Sequence, residues 1–170
     1  DWGAAGETRT GVVDLVAGNY FMFDPFAQRL GFVTVTDGEI SDVEPASDAT
    51  VEMTEMRFIL PDAGLPTGKS RLKMANIGAI AHEFQLVAVP EGTTTDQMIE
   101  IFNLPFDATP TPDFPLSQIL VDYHPAAATS IMAAGHTSWI DVDIAPGTYA
   151  VLCAVPFPGG VPHAMQGMLD

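Results

Sequence analysis

The chain has 170 residues, 47% of them hydrophobic and 16% charged, enough apolar side chain to fill the core of one domain. Six Lys and Arg stand against 22 Asp and Glu, a net charge of −16, which argues against a phosphate backbone, and so against nucleic acid, as a partner. No unbroken apolar run is long enough to cross a bilayer, and a single cysteine excludes an internal disulfide. The acidic balance fits steering toward a basic docking face on another protein; a merely solvated acidic surface has the same composition.

In chain order, residues 1–49 read as an N-terminal extension and 50–170 as the main domain, with an insertion at about 93–135. The start at Asp1, without initiator Met or leader, fits a processed exported protein or a trimmed chain. "VDLVAGNYFMFD" (13–24) aligns without a gap with "VDIAPGTYAVLC" (142–153). Val13, Asp14, Gly18 and Tyr20 match Val142, Asp143, Gly147 and Tyr149, and Asp24 falls where Cys153 stands. The shared unit is a strand, a Gly turn and an aromatic-led strand. "GFVTVTDG" (31–38) then alternates as a further strand.

Period-two alternation continues through the main domain. In "SRLKMAN" (70–76) Leu72 and Met74 oppose Arg71 and Lys73; in "SWIDVDI" (138–144) Ile140, Val142 and Ile144 oppose Trp139, Asp141 and Asp143. "HEFQLVAV" (82–89) has one strongly apolar face, and "TYAVLCAV" (148–155) is apolar on both, as a central strand is. Pro/Gly turns bound these runs, which predicts an antiparallel sandwich. "TTTDQMIEIFN" (93–103) breaks the period and predicts a short capped helix. The Pro- and Ala-rich stretch 104–135 reads as a long ordered excursion with a short strand or turn near 117–123, placed as a lid.

The chemistry gathers at the end of the chain. Cys153, His163 and Met168 follow a strand and a Pro/Gly loop, and His82 opens the strand after "NIGAIA" (76–81). Thiolate, imidazole and thioether are soft to borderline ligands. Two His and one Cys with a weak axial Met form a blue-copper electron-transfer set. Each residue alone has an ordinary structural role: Cys as a small hydrophobe, Met as core filler, His as a capped surface group. Met165 is the weaker axial candidate, because two residues past His163 it points to the other face of an extended segment.

"N-x-G-x-x-x-H-E-F" (76–84) and "G-T-Y-x-x-x-C…P-H-A-M-Q-G-M" (147–168) resemble the ligand segments of cupredoxins of the plastocyanin/azurin type. The resemblance covers roughly residues 50–170. It implies an all-β, Greek-key β-sandwich, here with extra N-terminal strands and one short helix. It also implies one Cu(I)/Cu(II) ion per chain, held by His82, Cys153, His163 and Met168. The nine residues between Cys153 and His163 exceed the loop of the small carriers and resemble the type 1 site of copper nitrite reductases.

The implied function is one-electron transport in an exported redox chain, periplasmic or extracellular, membrane-associated only through a partner or a removed anchor. Its partners are redox proteins, and the His163 ring is expected at the exposed edge. The alternatives are a nitrite-reductase-like copper enzyme and a copper-handling protein. The enzyme needs a second site at an oligomer interface, built from His124 or His136 with an Asp such as Asp122. One copper per chain marks the carrier and two the enzyme. The family also has a closing strand after its ligand Met, where only Leu169 and Asp170 follow here. Residues 12–36 are therefore expected to bind no metal and to join the sandwich as added strands, filling that edge in their own chain or a neighbour's.

Overall fold

Alternating side chains give two sheets that face one core. The computed structural model describes residues 8–24, 28–38, 43–104 and 124–170. Its strands are β1 (Gly11–Val13), β2 (Gly18–Asp24), β3 (Arg29–Val35), β4 (Ala49–Thr54), β5 (Arg57–Ile59), β6 (Gly68–Asn76), β7 (Gln85–Val89), β8 (Ala127–Ala128), β9 (Thr137–Ile144) and β10 (Thr148–Leu152). One sheet has the order β1-β9-β6-β4-β5 and the other β10-β7-β8. Val51 and Met53 of β4, Leu72 and Met74 of β6, and Val142 and Ile144 of β9 pack against Phe84, Leu86 and Val151. Burying each such side chain contributes about 1.5–3 kcal/mol. The fold is the all-β sandwich expected, but β4 and β6 run parallel. Periodicity reports which face a residue takes but is silent on the direction of its neighbour.

The helix, α1 (Thr95–Phe102), starts where the sequence places it. Thr94 Oγ1 accepts from Gln97 N at 3.3 Å while Gln97 Oε1 accepts from Thr94 N at 2.9 Å, a reciprocal capping box. Its buried Met98 and Ile101 meet Val87, Ala150, Leu152 and Ala164. This explains why β10 is apolar on both faces: one faces the core and the other faces α1. Of the predicted excursion, 105–123 lies outside the described residues. The remainder, 124–135, supplies β8 and then runs beside His82, where His82 and Met132 form an isolated bridge.

The N-terminal segment divides. β1 adds to the outer edge of β9, with Gly11 opposite Ile140. A Cβ on Gly11 would stand 2.8 Å from the Trp139 carbonyl oxygen, so only glycine lets the strands approach. Gly11→Val is expected to detach β1, raising amide exchange along the outer edge of β9 by on the order of tenfold or more while the core strands stay protected. Unchanged exchange there would refute the close-approach argument.

β2 and β3 pair in register, Phe21 opposite Phe32, as a two-stranded sheet of their own. Among the described residues no ladder joins them to the sandwich, whereas all of 12–36 was expected to join it as added strands. Nor do they fill the edge after Met168. Leu169 itself bridges to Leu152, and Val151 and Asp170 exchange backbone hydrogen bonds at 2.7 and 2.9 Å. The internal echo is nonetheless structural. Tyr20 Oη donates to Val16 O and Tyr149 Oη to Ala145 O, each at 2.7 Å, and each ring lies over the glycine two residues before it. Both copies are the same tyrosine corner, which in the second copy leads from β9 in one sheet to β10 in the other.

Candidate metal centre

Two loops at one end of the sandwich bring the site together. The first leaves β6 at Asn76, which is 1% exposed and acts as a knot. Its Nδ2 donates to Ile80 O at 2.8 Å and Met132 O at 2.9 Å, while its Oδ1 accepts from Gly78 N at 3.0 Å. A side chain at Gly78 would displace the Glu55 carboxylate, 2.9 Å from its Cβ, and press on Thr54 Cα at 3.2 Å. His82 then pairs with Met132 through two backbone hydrogen bonds of 3.1 and 2.8 Å.

The second loop begins at Cys153, whose N–H donates to Met168 O at 3.3 Å and whose carbonyl accepts from Ala164 N at 2.8 Å. Residues 154–162 fold back on themselves as a small hairpin. Pro156 bridges Pro162, Phe157 N donates to Val161 O at 2.9 Å, and Gly160 turns with φ 85°. A short 3-10 helix, His163–Gln166, follows and ends at Gly167 with φ 105°. Met168 N then donates to His163 O at 3.0 Å. Cys153, His163 and Met168 are thus tied to one another through the backbone.

The side chains of His82, Cys153 and His163 converge, with their ligand atoms all within 4.8 Å of one another. His82 Nδ1 lies 3.2 Å from His163 Nδ1, which lies 3.5 Å from Cys153 Sγ. All three residues are buried, as is Met168, which packs in the same core cluster as Cys153; Met165 is half-buried. Burial holds His82 below the usual histidine range, aided by repulsion from His163, and burial alone does the same for His163. Both imidazoles are therefore neutral at pH 7, with lone pairs to offer. Burial pushes the Cys153 thiol up. The Glu83 N–H donates to Cys153 Sγ at 3.4 Å, a contact that suits a thiolate. Two neutral imidazoles and a sulfur in a dry pocket fit a soft to borderline metal ion such as copper.

His163 departs from the expected exposed edge: it is 2% exposed. Phe157, from the long loop, lies on its ring with centroids 4.3 Å apart. His124 and His136 are exposed, and His82, Cys153 and His163 form the one such ligand cluster among the described residues. Asp122 lies outside the described residues.

Glu83, read in the sequence only as part of the His-Glu-Phe motif, ties the two loops together. It is 7% exposed, and its Oε1 accepts from Gln85 Nε2 at 2.6 Å and Ala154 N at 3.0 Å. Burial pushes its carboxyl up against the pull of those two bonds, so keeping a charge here costs stability at neutral pH. What it gives is a clamp from the residue after His82 to the residue after Cys153. Glu83→Ala leaves the half-buried Ala154 N–H and the buried Gln85 amide without that acceptor. A loss of about 1–3 kcal/mol is expected in urea unfolding of the metal-free protein, and an unchanged midpoint would show that the clamp holds nothing.

No protein-family model matches the chain, and no curated protein matches it. Among solved structures the chain is similar to a dithionite-reduced auracyanin from the photosynthetic bacterium Roseiflexus castenholzii. The identity is 22% over 74% of this chain and 95% of that one, with a TM-score of 0.45. It is also similar to auracyanin B, at 24% identity over 75% of this chain and 89% of that one, with a TM-score of 0.43. No helix among the described residues is long and apolar enough to cross a membrane.

Proposed function

We propose that the chain is a type 1 copper protein that carries single electrons, with His82, Cys153, His163 and Met168 as the residues that would hold the ion. The observation that supports this reading best is the buried convergence of two neutral imidazoles and one thiol within 4.8 Å, from two loops of one sandwich. When bound, copper supplies a couple between its Cu(I) and Cu(II) states.

The chain's own residues provide a cage that resists rearrangement. Asn76 and Met132 fix the backbone at His82, Ala164 and Met168 fix it at Cys153, and the Glu83 N–H steadies the sulfur. Phe157 keeps water from the His163 ring, so a redox partner would reach that ring through Phe157 and the loop it sits on. With four protein donors on one ion, no open position is left for a substrate, which favours a carrier over an enzyme. The acidic surface favours partners with a basic docking face, and an exported setting fits a site of this kind.

The test is metal loading followed by visible and electron paramagnetic resonance spectroscopy. One copper per chain with an intense visible band and a reversible one-electron response is expected. A colourless Cu(II) protein, or two coppers per chain, overturns the reading.

A further inference from the structure

The three candidate ligands of the second loop share a packing pattern. Val151 and Cys153 lie in the core between the sheets, while Ala150 and Leu152 lie in a second, smaller cluster. The pattern returns at the chain end, where Met168 belongs to the first cluster and Leu169 to the second. Ala164, the residue after His163, is fully buried in the second cluster, and Ala154 packs against it. Each of these ligands therefore has an immediate neighbour anchored there, and Cys153 has one on either side.

The helix α1 completes that second cluster. Met98 and Ile101, three residues apart and so on one face, are 3% and 1% exposed within it. The capping box at Thr94 and Gln97 starts the helix independently of the ligand segments. His82 stands apart from all this. Its backbone is paired with Met132, which lies in the first cluster, and the loop before it is tied by Asn76.

We infer that α1 is a positioning element of the metal centre, with Met98 and Ile101 as its positioning residues; which ion the ligands hold rests on the copper reading above. Along an extended strand each side chain points opposite to its neighbour. A Leu152 locked against α1 therefore fixes the direction of Cys153. Ala164 does the same for the turn of the 3-10 helix that carries His163, and Leu169 for Met168. Packed interiors transmit such constraints because they hold few voids into which a neighbour can relax. An empty space at residue 101 would loosen three ligands together and leave the fourth, His82, as it is.

Amide hydrogen exchange of the metal-free protein tests the packing. Ile101→Ala opens the second cluster, and Ile144→Ala removes the same side chain, 3% exposed, at the far end of the sandwich where Ile144 pairs with Gly68. The Cys153, Ala164 and Met168 amides, bonded to Met168 O, Cys153 O and His163 O, report on the ligand segments. In Ile101→Ala they should exchange roughly tenfold faster or more, relative to β6 and β9 amides of the same variant. The His82 and Met132 amides should not, and Ile144→Ala should produce no such local change. With copper, Ile101→Ala should shift the visible band and bind the ion roughly tenfold more weakly or worse, and Ile101→Val should restore most of both. If Ile101→Ala does not fold, Thr94→Ala frays the helix from its exposed cap, keeps every side chain of the cluster, and should act in the same direction. Equal effects of Ile101→Ala and Ile144→Ala on these amides overturn the inference. So does faster exchange with band and affinity unchanged, which would leave α1 a purely structural role. A wild-type chain that takes up no copper overturns the copper reading alone, since the amide comparison is made without metal and still decides whether α1 holds these residues.

Discussion

Copper-loaded, oxidised Cys153→Ser is expected to lose the visible band completely. On the copper site proposed above, that band would be charge transfer from a thiolate to Cu(II), and Cys153 is the only residue of thiol type in the chain. A serine oxygen is a harder, less polarisable donor that does not match the ion in its Cu(I) state. The fold should survive, because the bonds that place residue 153 are backbone bonds to Met168 and Ala164, and serine keeps them. Burying a hydroxyl at a position with no solvent access costs about 1–3 kcal/mol, offset in part by the Glu83 N–H that now donates to oxygen. A variant that retains the wild-type band would remove Cys153 from the ligand set. Met168→Leu makes the complementary case: the band persists and the reduction potential rises, because a weak donor is lost from the oxidised state.

Much of this site was legible because its chemistry is local in sequence. Cys153, His163 and Met168 lie within sixteen residues on a strand and its loop, and His82 follows an Asn-x-Gly turn that could only sit at a strand end. The capping box of α1 was legible for the same reason, its partners being three residues apart. What stayed hidden is whatever long-range placement decides. The parallel β4–β6 pairing leaves no trace in alternation. The cover on His163 depends on how Gly159 and Gly160 turn the loop so that Phe157 comes back over the ring. Glu83 looks like an ordinary polar residue in a strand until Ala154, 71 positions away, is seen to donate to it. The echo at 13–24 was legible as a motif, but whether its hairpin joins a sheet is set by edges that the motif does not encode.

Asn76→Ala is expected both to destabilise the protein and to disturb the metal site. Alanine removes three hydrogen bonds, of which the one to Met132 O is fully buried and those to Ile80 O and Gly78 N are partly so. Gly78 N retains Met53 O at 3.2 Å, and Met132 O retains the His82 N–H at 3.1 Å. Ile80 O has no second bond among those described. Three lost bonds, one of them fully buried, give an expected loss of about 1–3 kcal/mol, a fall in Tm on the order of 5 °C for a chain of this size. Asn76→Asp should be worse than alanine, because it aims a carboxylate oxygen at the Ile80 and Met132 carbonyls that now receive N–H donors. The effect should also reach the metal site. Freed from Asn76, residues 77–81 no longer fix the entry to His82, so the visible band of either variant should broaden or shift at full copper loading. A steric or purely hydrophobic role for Asn76 predicts the opposite order, with aspartate close to wild type and alanine lower. Thermal unfolding of the two variants side by side distinguishes the two roles, and aspartate ranking above alanine would defeat the hydrogen-bonding one.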